Sequence, residues 1–355
     1  MSEKDNRINP QENRETLTNS NNIKEPKKKD KKYYGKLLIV FIFGVLCVIY
    51  YIYVYETMWK NLKPSNIYII STLLVIFHLL LFFFLLAFYH TMEMQPGSIP
   101  LYWGFYIGDD DYKRKRYCLI CNAFKPERSH HCSVCNTCVL NMDHHCPWVD
   151  NCIGFYNRKF FMQLLFYVCL LTIYVDISMA YFAYLIVRDI FRMKLAYNNS
   201  IHAALILSGY CLVFGFSIII TRFFNFHINL VLTNSTTIES LDKDHKEENR
   251  RFCLSQKENW EQVFGTSLLL WFIPMDLEKG RPVGDGLTWP IREEDDTHNL
   301  QNNNVAPNAI SNSVQQQEPN NNVEQSNKQN IEMRNMANYN TNFASTSPMS
   351  PQGGI

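Results

Sequence analysis

Charged residues are scarce in this sequence, and their distribution is uneven. Only 19% of the 355 residues are Asp, Glu, Lys or Arg, whereas globular domains carry about a quarter. The two signs nearly cancel, with 34 basic residues against 33 acidic ones and a net charge of +1. This balance excludes a strongly basic nucleic-acid binder and an acidic solvating chain as descriptions of the whole molecule.

Charge is absent altogether from two long runs, residues 37–55 and 67–89. Two further runs, 160–187 and 203–232, contain one charged residue each. Each run is close to or longer than the stretch of about 20 residues with which a helix crosses the hydrocarbon core of a bilayer. The first two runs also lack the polar face that a helix of a soluble protein presents to water. We therefore predict an all-α polytopic membrane protein with four transmembrane helices.

The remainder of the chain is polar. Residues 1–36 form a lysine-rich arm with no apolar stretch that could be the core of a signal peptide. Residues 233–298 are expected to be a C-terminal region outside the membrane. Residues 299–355 are predicted to be a disordered tail, because the segment 301–355 contains 14 Asn and 7 Gln and few residues that could build a core.

The distribution of Lys and Arg predicts the orientation. The arm and the loop at residues 90–159 are rich in both, whereas the two short connections hold only Lys60, Lys63, Arg188, Arg192 and Lys194. Basic residues favour the cytosolic side. We expect a protein of the endomembrane system or plasma membrane, with both termini and the loop in the cytosol. Thiols stay reduced there, so a cysteine cluster is expected to bind metal or to do chemistry.

Seven of the 11 cysteines lie between residues 118 and 152, and their spacing repeats. Two sets of three cysteines and one histidine have the same intervals, shifted by 14 residues. Zinc prefers four such ligands, and a Cys-x2-Cys knuckle supplies two of them from one turn. The pattern predicts two structural zinc ions in interleaved sites. The sets are Cys118, Cys121, His131 and Cys138, and Cys132, Cys135, His145 and Cys152.

A grouping in chain order is the alternative. It would place Cys118, Cys121, Cys132 and Cys135 around one ion, at the cost of the repeat. Spacing alone leaves this grouping open.

One cysteine of the loop has no place in either set. Cys146 stands where Cys132 stands one repeat earlier, but Val149 occupies the position of the second thiol, so no third knuckle is predicted. Asp143 and His144 precede it. An imidazole can take the proton of a neighbouring thiol, and a carboxylate can fix the tautomer of the imidazole.

The zinc ion itself is not expected to activate this thiol, because a site with three thiolates and one histidine has a net charge of −1. We therefore assign deprotonation to His144 and a structural role to His145. Asp143, His144 and Cys146 are the candidate catalytic residues.

The position of Cys146 indicates the kind of substrate. It precedes the third apolar run by 14 residues and should lie at the membrane surface. A long-chain acyl-CoA has a polar head for the cytosol and a hydrocarbon chain for the bilayer. Cys146 could accept the acyl chain and pass it to a protein thiol. Lys125 and Arg128 are candidate contacts for the phosphates of CoA.

Residues 118–154, CLICNAFKPERSHHCSVCNTCVLNMDHHCPWVDNCIG, resemble the cysteine-rich domain of the DHHC-family protein S-acyltransferases, or palmitoyltransferases. The resemblance implies a ping-pong transfer from palmitoyl-CoA to accessible cysteines of substrate proteins, with Cys146 as acyl carrier, His144 as base and Asp143 as its orienting group. It also implies the interleaved zinc sites and a cytosolic domain between the second and third spans.

Two further segments match this family. Residues 236–239, TTIE, match its TTxE motif, and residues 259–265, NWEQVFG, are similar to its aromatic C-terminal motif. One position departs: the family often has Asp-Pro-Gly before the loop, whereas this chain has Gln95-Pro96-Gly97. A role of that Asp cannot be carried over.

Other readings of the sequence remain as alternatives. A non-enzymatic membrane zinc adaptor or scaffold would leave Asp143, His144 and Cys146 without a role. A nucleic-acid-binding finger is not expected, because the loop lacks a long basic helix. We expect structural roles for Asp176, His78 and Arg222 in the apolar runs.

Overall fold

The computed structural model describes residues 31–101, 103–104, 116–193 and 200–292. Most of the basic arm and the whole Asn-rich tail therefore lie outside the described residues. Within the described ranges, four helices are long and apolar enough to cross a membrane, and each contains one of the four predicted runs. They are α1 (Lys31–Tyr50, continued by a π-helical stretch Tyr51–Met58 and a 3₁₀ turn Trp59–Asn61), α2 (Ile67–Glu93), α3 (Arg158–Phe191) and α4 (Ser200–Leu232).

Helix α3 is the centre of the bundle. Of its most apolar stretch 61% is buried, compared with 11%, 17% and 28% in α1, α2 and α4. Both α2 and α4 pack along α3, and the π-helical end of α1 packs on α4. The large apolar side chains that face outward, such as Leu79 and Ile219, are exposed, as expected of a surface covered by lipid. The chain is a multi-pass membrane protein.

Several polar side chains inside the bundle are paired across helices. The Tyr53 hydroxyl lies 2.9 Å from Oγ of Ser178. At the end of the bundle away from the cysteine-rich loop, the buried Glu56 carboxylate lies 2.6 Å from Nδ1 of His202 and 2.8 Å from Nζ of Lys60. Such pairs join α1 to α3 and α4, and they offset the cost of burying polar groups.

The loop between α2 and α3 is built from three antiparallel hairpins with one common register. Cys118 pairs with Ala123, Cys132 with Thr137 and Cys146 with Asn151, at intervals of 14 residues. The strands are β1 (Tyr117–Cys118), β2 (Ala123–Phe124), β3 (His130–Cys132), β4 (Thr137–Val139), β5 (His144–Cys146) and β6 (Asn151–Ile153). The spacing that predicted a repeat of ligands is therefore a repeat of backbone structure.

The turns of the three hairpins are also equivalent. Asn122, Asn136 and Asp150 have positive φ angles of 51°, 56° and 49° and occupy the same position in each hairpin. Asn and Asp tolerate this left-handed conformation better than most residues. The third hairpin keeps this turn as well, but Val149 stands where the second thiol of a Cys-x2-Cys knuckle would be, so Cys146 has no partner thiol in its own turn.

Short helices after α4 cover the side of the bundle that carries the hairpins. Asn259 fixes their position, since its amide donates to the Leu232 carbonyl at the end of α4 (2.7 Å). The first of them begins with a capping box between Thr236 and Glu239. The helices are α5 (Thr237–Leu241), α6 (Lys246–Asn249), α7 (Gln256–Phe264) and α8 (Leu268–Phe272), with 3₁₀ turns at Arg250–Phe252 and Glu278–Gly280.

Helix α8 is attached to α3 through its backbone. The Gln163 amide donates to the carbonyls of Leu270 and Trp271 (3.1 and 3.0 Å). Leu268 and Leu269 on the other side are 66% and 76% exposed. Because its carbonyl groups are held by α3, this short helix presents its leucines outward at the level where α3 begins.

Candidate active site and metal centres

The first predicted set of ligands comes together between the first two hairpins. The four ligand atoms all lie within 4.8 Å of one another. Nδ1 of His131 is 3.7, 3.2 and 3.9 Å from the sulfur atoms of Cys118, Cys121 and Cys138. This group can hold a metal ion.

The second set comes together in the same way between the second and third hairpins. Its ligand atoms are also within 4.8 Å of one another. The Cys135 sulfur is 3.5 Å from both Nδ1 of His145 and the sulfur of Cys152. The knuckle of one hairpin thus joins the His-Cys pair of the next. The described residues form these interleaved groups, and not the grouping in chain order.

Cys146 belongs to neither metal-ligand group. It lies at the end of β5, is 5% exposed, and is part of the apolar cluster formed by the membrane helices. Phe84 and Phe88 of α2 and Phe161 and Leu164 of α3 are members of that cluster. The sulfur therefore lies where the hairpins meet the bundle.

His144 and Asp143 are placed as the sequence predicted. Nδ1 of His144 is 2.6 Å from Oδ2 of Asp143. Burial by itself would lower the pKa of His144, but hydrogen bonds to Asp143 and to the neighbouring Cys146 thiol raise it to about 9. Burial would raise the pKa of Asp143, yet the hydrogen bond from His144 and the charge of Arg158 hold it well below its usual range. Asp143 is therefore a carboxylate, and His144 is a strong proton acceptor.

Three other groups bind the Asp143 carboxylate. The backbone N–H of Thr237 donates to Oδ1 (2.9 Å), and its hydroxyl donates to Oδ2 (2.8 Å). The guanidinium of Arg158, at the first turn of α3, lies 3.6 Å from Oδ1 and donates to the Ser235 carbonyl at 2.6 Å. Residues from the hairpins, α3 and the start of α5 thus meet at one buried carboxylate.

The structure gives Arg128 a role other than phosphate contact. Its side chain is 1% exposed and forms a two-pronged ion pair with Glu239, with N–O distances of 2.7 and 2.8 Å. It also lies 4.3 Å from the centre of the Trp289 ring. The expectation that it meets CoA is corrected on this ground, because a guanidinium with its donors occupied and no access to solvent cannot reach a soluble phosphate. Lys125 is partly exposed.

Sequence reasoning missed several residues of the site. His227 of α4 is 2% exposed, and its ring centre lies 5.8 Å from that of His144. The Asn151 amide donates to the carbonyls of Thr91, Met92 and Met94 (3.1, 3.0 and 2.8 Å), which fixes the third hairpin on the end of α2. His227 and Arg158 could have been noticed in the sequence, because each is a polar residue near the end of an apolar run. Asn151 gave none.

Comparison with known proteins places these residues in a wider group. A model of the DHHC palmitoyltransferase family matches residues 111–244, which include both ligand groups, Cys146 and Thr237. Probable protein S-acyltransferase 13 of Arabidopsis thaliana is 32% identical over 289 residues, which cover 75% of this chain and 94% of the relative. Palmitoyltransferase ZDHHC15 of Rattus norvegicus is 31% identical over 188 residues, 52% of either chain. Palmitoyltransferase pfa3 of Schizosaccharomyces pombe is 37% identical over 183 residues, which cover 50% of this chain and 53% of the relative.

Proposed function

Because the chain belongs to the DHHC palmitoyltransferase family and is a protein palmitoyltransferase, we propose that Cys146 carries the acyl group from a long-chain acyl-CoA to a cysteine of a substrate protein. One observation carries this assignment. Among the cysteines of the hairpins, Cys146 alone is outside both ligand groups, and it lies beside a His144–Asp143 pair. A non-enzymatic adaptor is not favoured, since the relatives are named as acyltransferases.

Zinc is the metal that we assign to both ligand groups. Three thiolates and one imidazole are a typical structural zinc set, and a tetrahedral ion with bonds of about 2.3 Å to sulfur places its ligands about 3.8 Å apart. The distances of 3.2–3.9 Å within the two groups agree with this geometry. When bound, the ions fix the hairpins relative to one another. They take no part in the transfer.

In the first half of the reaction, Nε2 of His144 accepts the Cys146 proton, because Nδ1 is occupied by Asp143. The sulfur attacks the thioester carbonyl of the acyl-CoA. A new carbon–sulfur bond forms, the bond to the CoA sulfur breaks, and CoA leaves with the proton from His144. Asp143 holds the imidazole in the required tautomer and stabilises its positive charge.

The second half repeats these steps in reverse. His144 accepts the proton of the substrate cysteine, whose sulfur attacks the acyl-Cys146 thioester. The Cys146 sulfur leaves and regains a proton from His144. The substrate protein carries the new thioester, and CoA departs before the second thiol reacts, which makes the kinetics ping-pong.

The donor is expected to be palmitoyl-CoA or a chain of similar length. Cys146 packs among side chains of α2 and α3, so an acyl chain bound to it would extend among the membrane helices. Each CH₂ group buried there contributes about 0.8 kcal/mol. Lys125 is the cation of the hairpins that we assign to the CoA phosphates. Its ammonium has no partner among the described residues.

We infer that the hairpins and both termini lie on the cytosolic side of the membrane, in the endomembrane system or the plasma membrane. The excess of Lys and Arg in residues 1–36 and 90–159 supports it. In sealed vesicles, tags at both termini should be digested by added protease without detergent. Protection of either tag would contradict this orientation.

Acyl-enzyme formation tests the assignment of Cys146. The purified protein should acquire a hydroxylamine-labile label from labelled palmitoyl-CoA, and Cys146→Ala should abolish the label while two zinc ions remain bound. Cys253→Ala, a partly exposed cysteine outside the hairpins, is the matched control and should label fully. A labelled Cys146→Ala protein would disprove the assignment.

A kinetic test addresses Lys125. Its replacement by Ala should raise the KM for palmitoyl-CoA several-fold and leave kcat unchanged, because a contact to a remote phosphate contributes equally to ground state and transition state. An unchanged KM would remove Lys125 from the proposal.

A further inference from the structure

The outer surface of α4 carries a line of polar side chains near its C-terminal end. Arg222, Asn225 and Asn229 follow one another at intervals of three and four residues, and this spacing places them on one face of a helix. All three are exposed. We call them the α4 polar stripe.

The α4 polar stripe has no partner within the described part of the protein. None of its side chains makes a hydrogen bond or an ion pair with a described residue. Arg222 is the single charged residue of α4. It lies about 140° around the helix from Ser217 and His227, which are buried in the bundle. Any partner must therefore come from outside the bundle.

The depth of the stripe follows from the length of α4. The 33 residues make a helix of about 50 Å, longer than a hydrocarbon core of about 30 Å. With the helix centred, the edge of the core on the hairpin side falls near residue 226. The Cα atom of Arg222 then lies about 6 Å inside that edge and Asn229 about 4 Å outside it. A guanidinium that extends toward the surface reaches the level of the lipid headgroups.

We propose that the α4 polar stripe binds the phosphate of a phospholipid in the leaflet on the hairpin side. A guanidinium at the edge of the apolar layer is stabilised by an anion, and the lipid phosphates are the anions present at this depth. Arg222 would donate to the phosphate from below, and the two amides from beside and above. A second copy of the chain is a poor occupant, because a two-fold axis at the stripe would bring two Arg222 guanidinium groups together.

The site lies on the helix whose C-terminal end leads into Thr237, which binds the Asp143 carboxylate. The Leu232 carbonyl is held by Asn259, and the Ser235 carbonyl is held by Arg158. A phospholipid on the stripe would occupy the opposite, outward surface of the same helix end. The proposal is independent of acyl transfer and of the role assigned to Cys146.

Lipid binding to the purified full-length protein tests the proposal. The protein is titrated in detergent with dioleoylphosphatidylglycerol and with dioleoylglycerol, which has the same chains but no phosphate, and complexes are counted by native mass spectrometry. We expect one phosphatidylglycerol to bind at least about tenfold more tightly than dioleoylglycerol. Arg222→Leu should remove this difference, and Arg222→Lys should retain part of it.

Two controls keep the result interpretable. Arg192→Leu removes an exposed arginine at the other end of the bundle and should leave binding unchanged. The double variant Asn225→Leu/Asn229→Leu keeps the charge and should weaken binding several-fold, which provides a reading if Arg222→Leu does not fold. The proposal would be overturned if wild type and Arg222→Leu bound the lipid equally, or if both lipids bound equally. It would also be overturned if millimolar inorganic phosphate displaced the lipid, or if Arg222→Leu lost a dimer that the wild type forms.

Discussion

The second and third hairpins have the same backbone structure but different surroundings. In the second hairpin, Cys132 belongs to a metal-ligand group, and the cluster around it packs near Ile238 of α5. In the third, the equivalent Cys146 is free and packs against the membrane helices. Both hairpins keep the same register and have a left-handed residue at the same position of the turn, Asn136 in one and Asp150 in the other. The difference between a metal-ligand group and the proposed reactive thiol therefore lies in side chains and not in backbone.

Three exchanges at equivalent positions account for that difference. Val149 in place of Cys135 removes a ligand and frees the thiol of Cys146. Asp143 in place of Ser129 adds a carboxylate beside the histidine. A third exchange puts Asn151 where the second hairpin has Thr137, and it fixes the third hairpin to α2. Each exchange can be tested against its counterpart in the other hairpin.

Loss of a metal ligand is expected to have the largest effect. Cys121→Ser and Cys135→Ser remove corresponding ligands of the two groups, and each should leave one zinc ion per chain and lower the Tm by roughly 10 °C or more. Because His145 lies in β5 between His144 and Cys146, the Cys135 variant should lose at least about tenfold more acyl-enzyme formation. Metal analysis and acyl labelling measure both effects. Equal losses of acyl-enzyme formation would mean that the two metal groups contribute alike to the position of Cys146.

The second largest effect is expected from loss of the Asp143 carboxylate. Asp143→Ala should slow acyl-enzyme formation by about 10²–10⁴-fold, since it removes the group that orients and charges His144. Ser129→Ala is the matched control and should change little, because the buried Ser129 hydroxyl has no hydrogen-bond partner among the described residues. Single-turnover labelling with palmitoyl-CoA measures the rates. A comparable loss in both variants would place the effect in folding and not in chemistry.

Arg158 is expected to act through Asp143. Arg158→Met should slow acyl-enzyme formation by about 10- to 100-fold, because the carboxylate loses one of its fixed partners. In an Asp143→Ala background the same change should add little further loss. Arg158→Lys should recover part of the rate. Additive losses in the double variant would show that Arg158 acts on the bundle as a whole.

The smallest effect is expected for the attachment of the third hairpin to α2. Asn151→Ala removes three hydrogen bonds to carbonyls and should destabilise the protein by about 1–3 kcal/mol. Thr137→Ala, at the exposed equivalent position, should stay within about 0.5 kcal/mol. Thermal unfolding in detergent compares the two. A stable Asn151→Ala protein would show that apolar contacts alone hold the hairpin in place.

The membrane helices, the two metal-ligand groups and the neighbouring residues Asp143, His144 and Cys146 could be predicted because each depends on residues close in sequence. A missing charge is visible in a run such as residues 67–89, and a ligand repeat is visible in spacing. Arg128 could not be assigned in this way. Its partner Glu239 is 111 residues away, and only the fold shows that the guanidinium is buried.

The groups that bind the Asp143 carboxylate could not be predicted for the same reason. The motif that begins at Thr236 matched a family pattern in the sequence, and in the structure it opens α5 with a capping box. That the next residue, Thr237, binds a carboxylate 94 positions earlier depends on how α4 returns the chain to the hairpins. Burial and long-range pairing arise from packing, which no local pattern encodes.

The pairing of each knuckle with the following hairpin has a simple arithmetic consequence. In a tandem array of this kind, every metal site takes its ligands from two neighbouring hairpins. The first and the last hairpin therefore each have one set of ligand positions for which no neighbouring hairpin supplies the other ligands. In the first hairpin these positions are filled by two aromatic residues, Tyr117 and Phe124, whose ring centres are 4.9 Å apart. The last hairpin has the unpaired thiol of Cys146. Duplication of a metal-binding hairpin would therefore leave one cysteine of the last hairpin in a fixed position without a metal. Such a cysteine is available for catalysis.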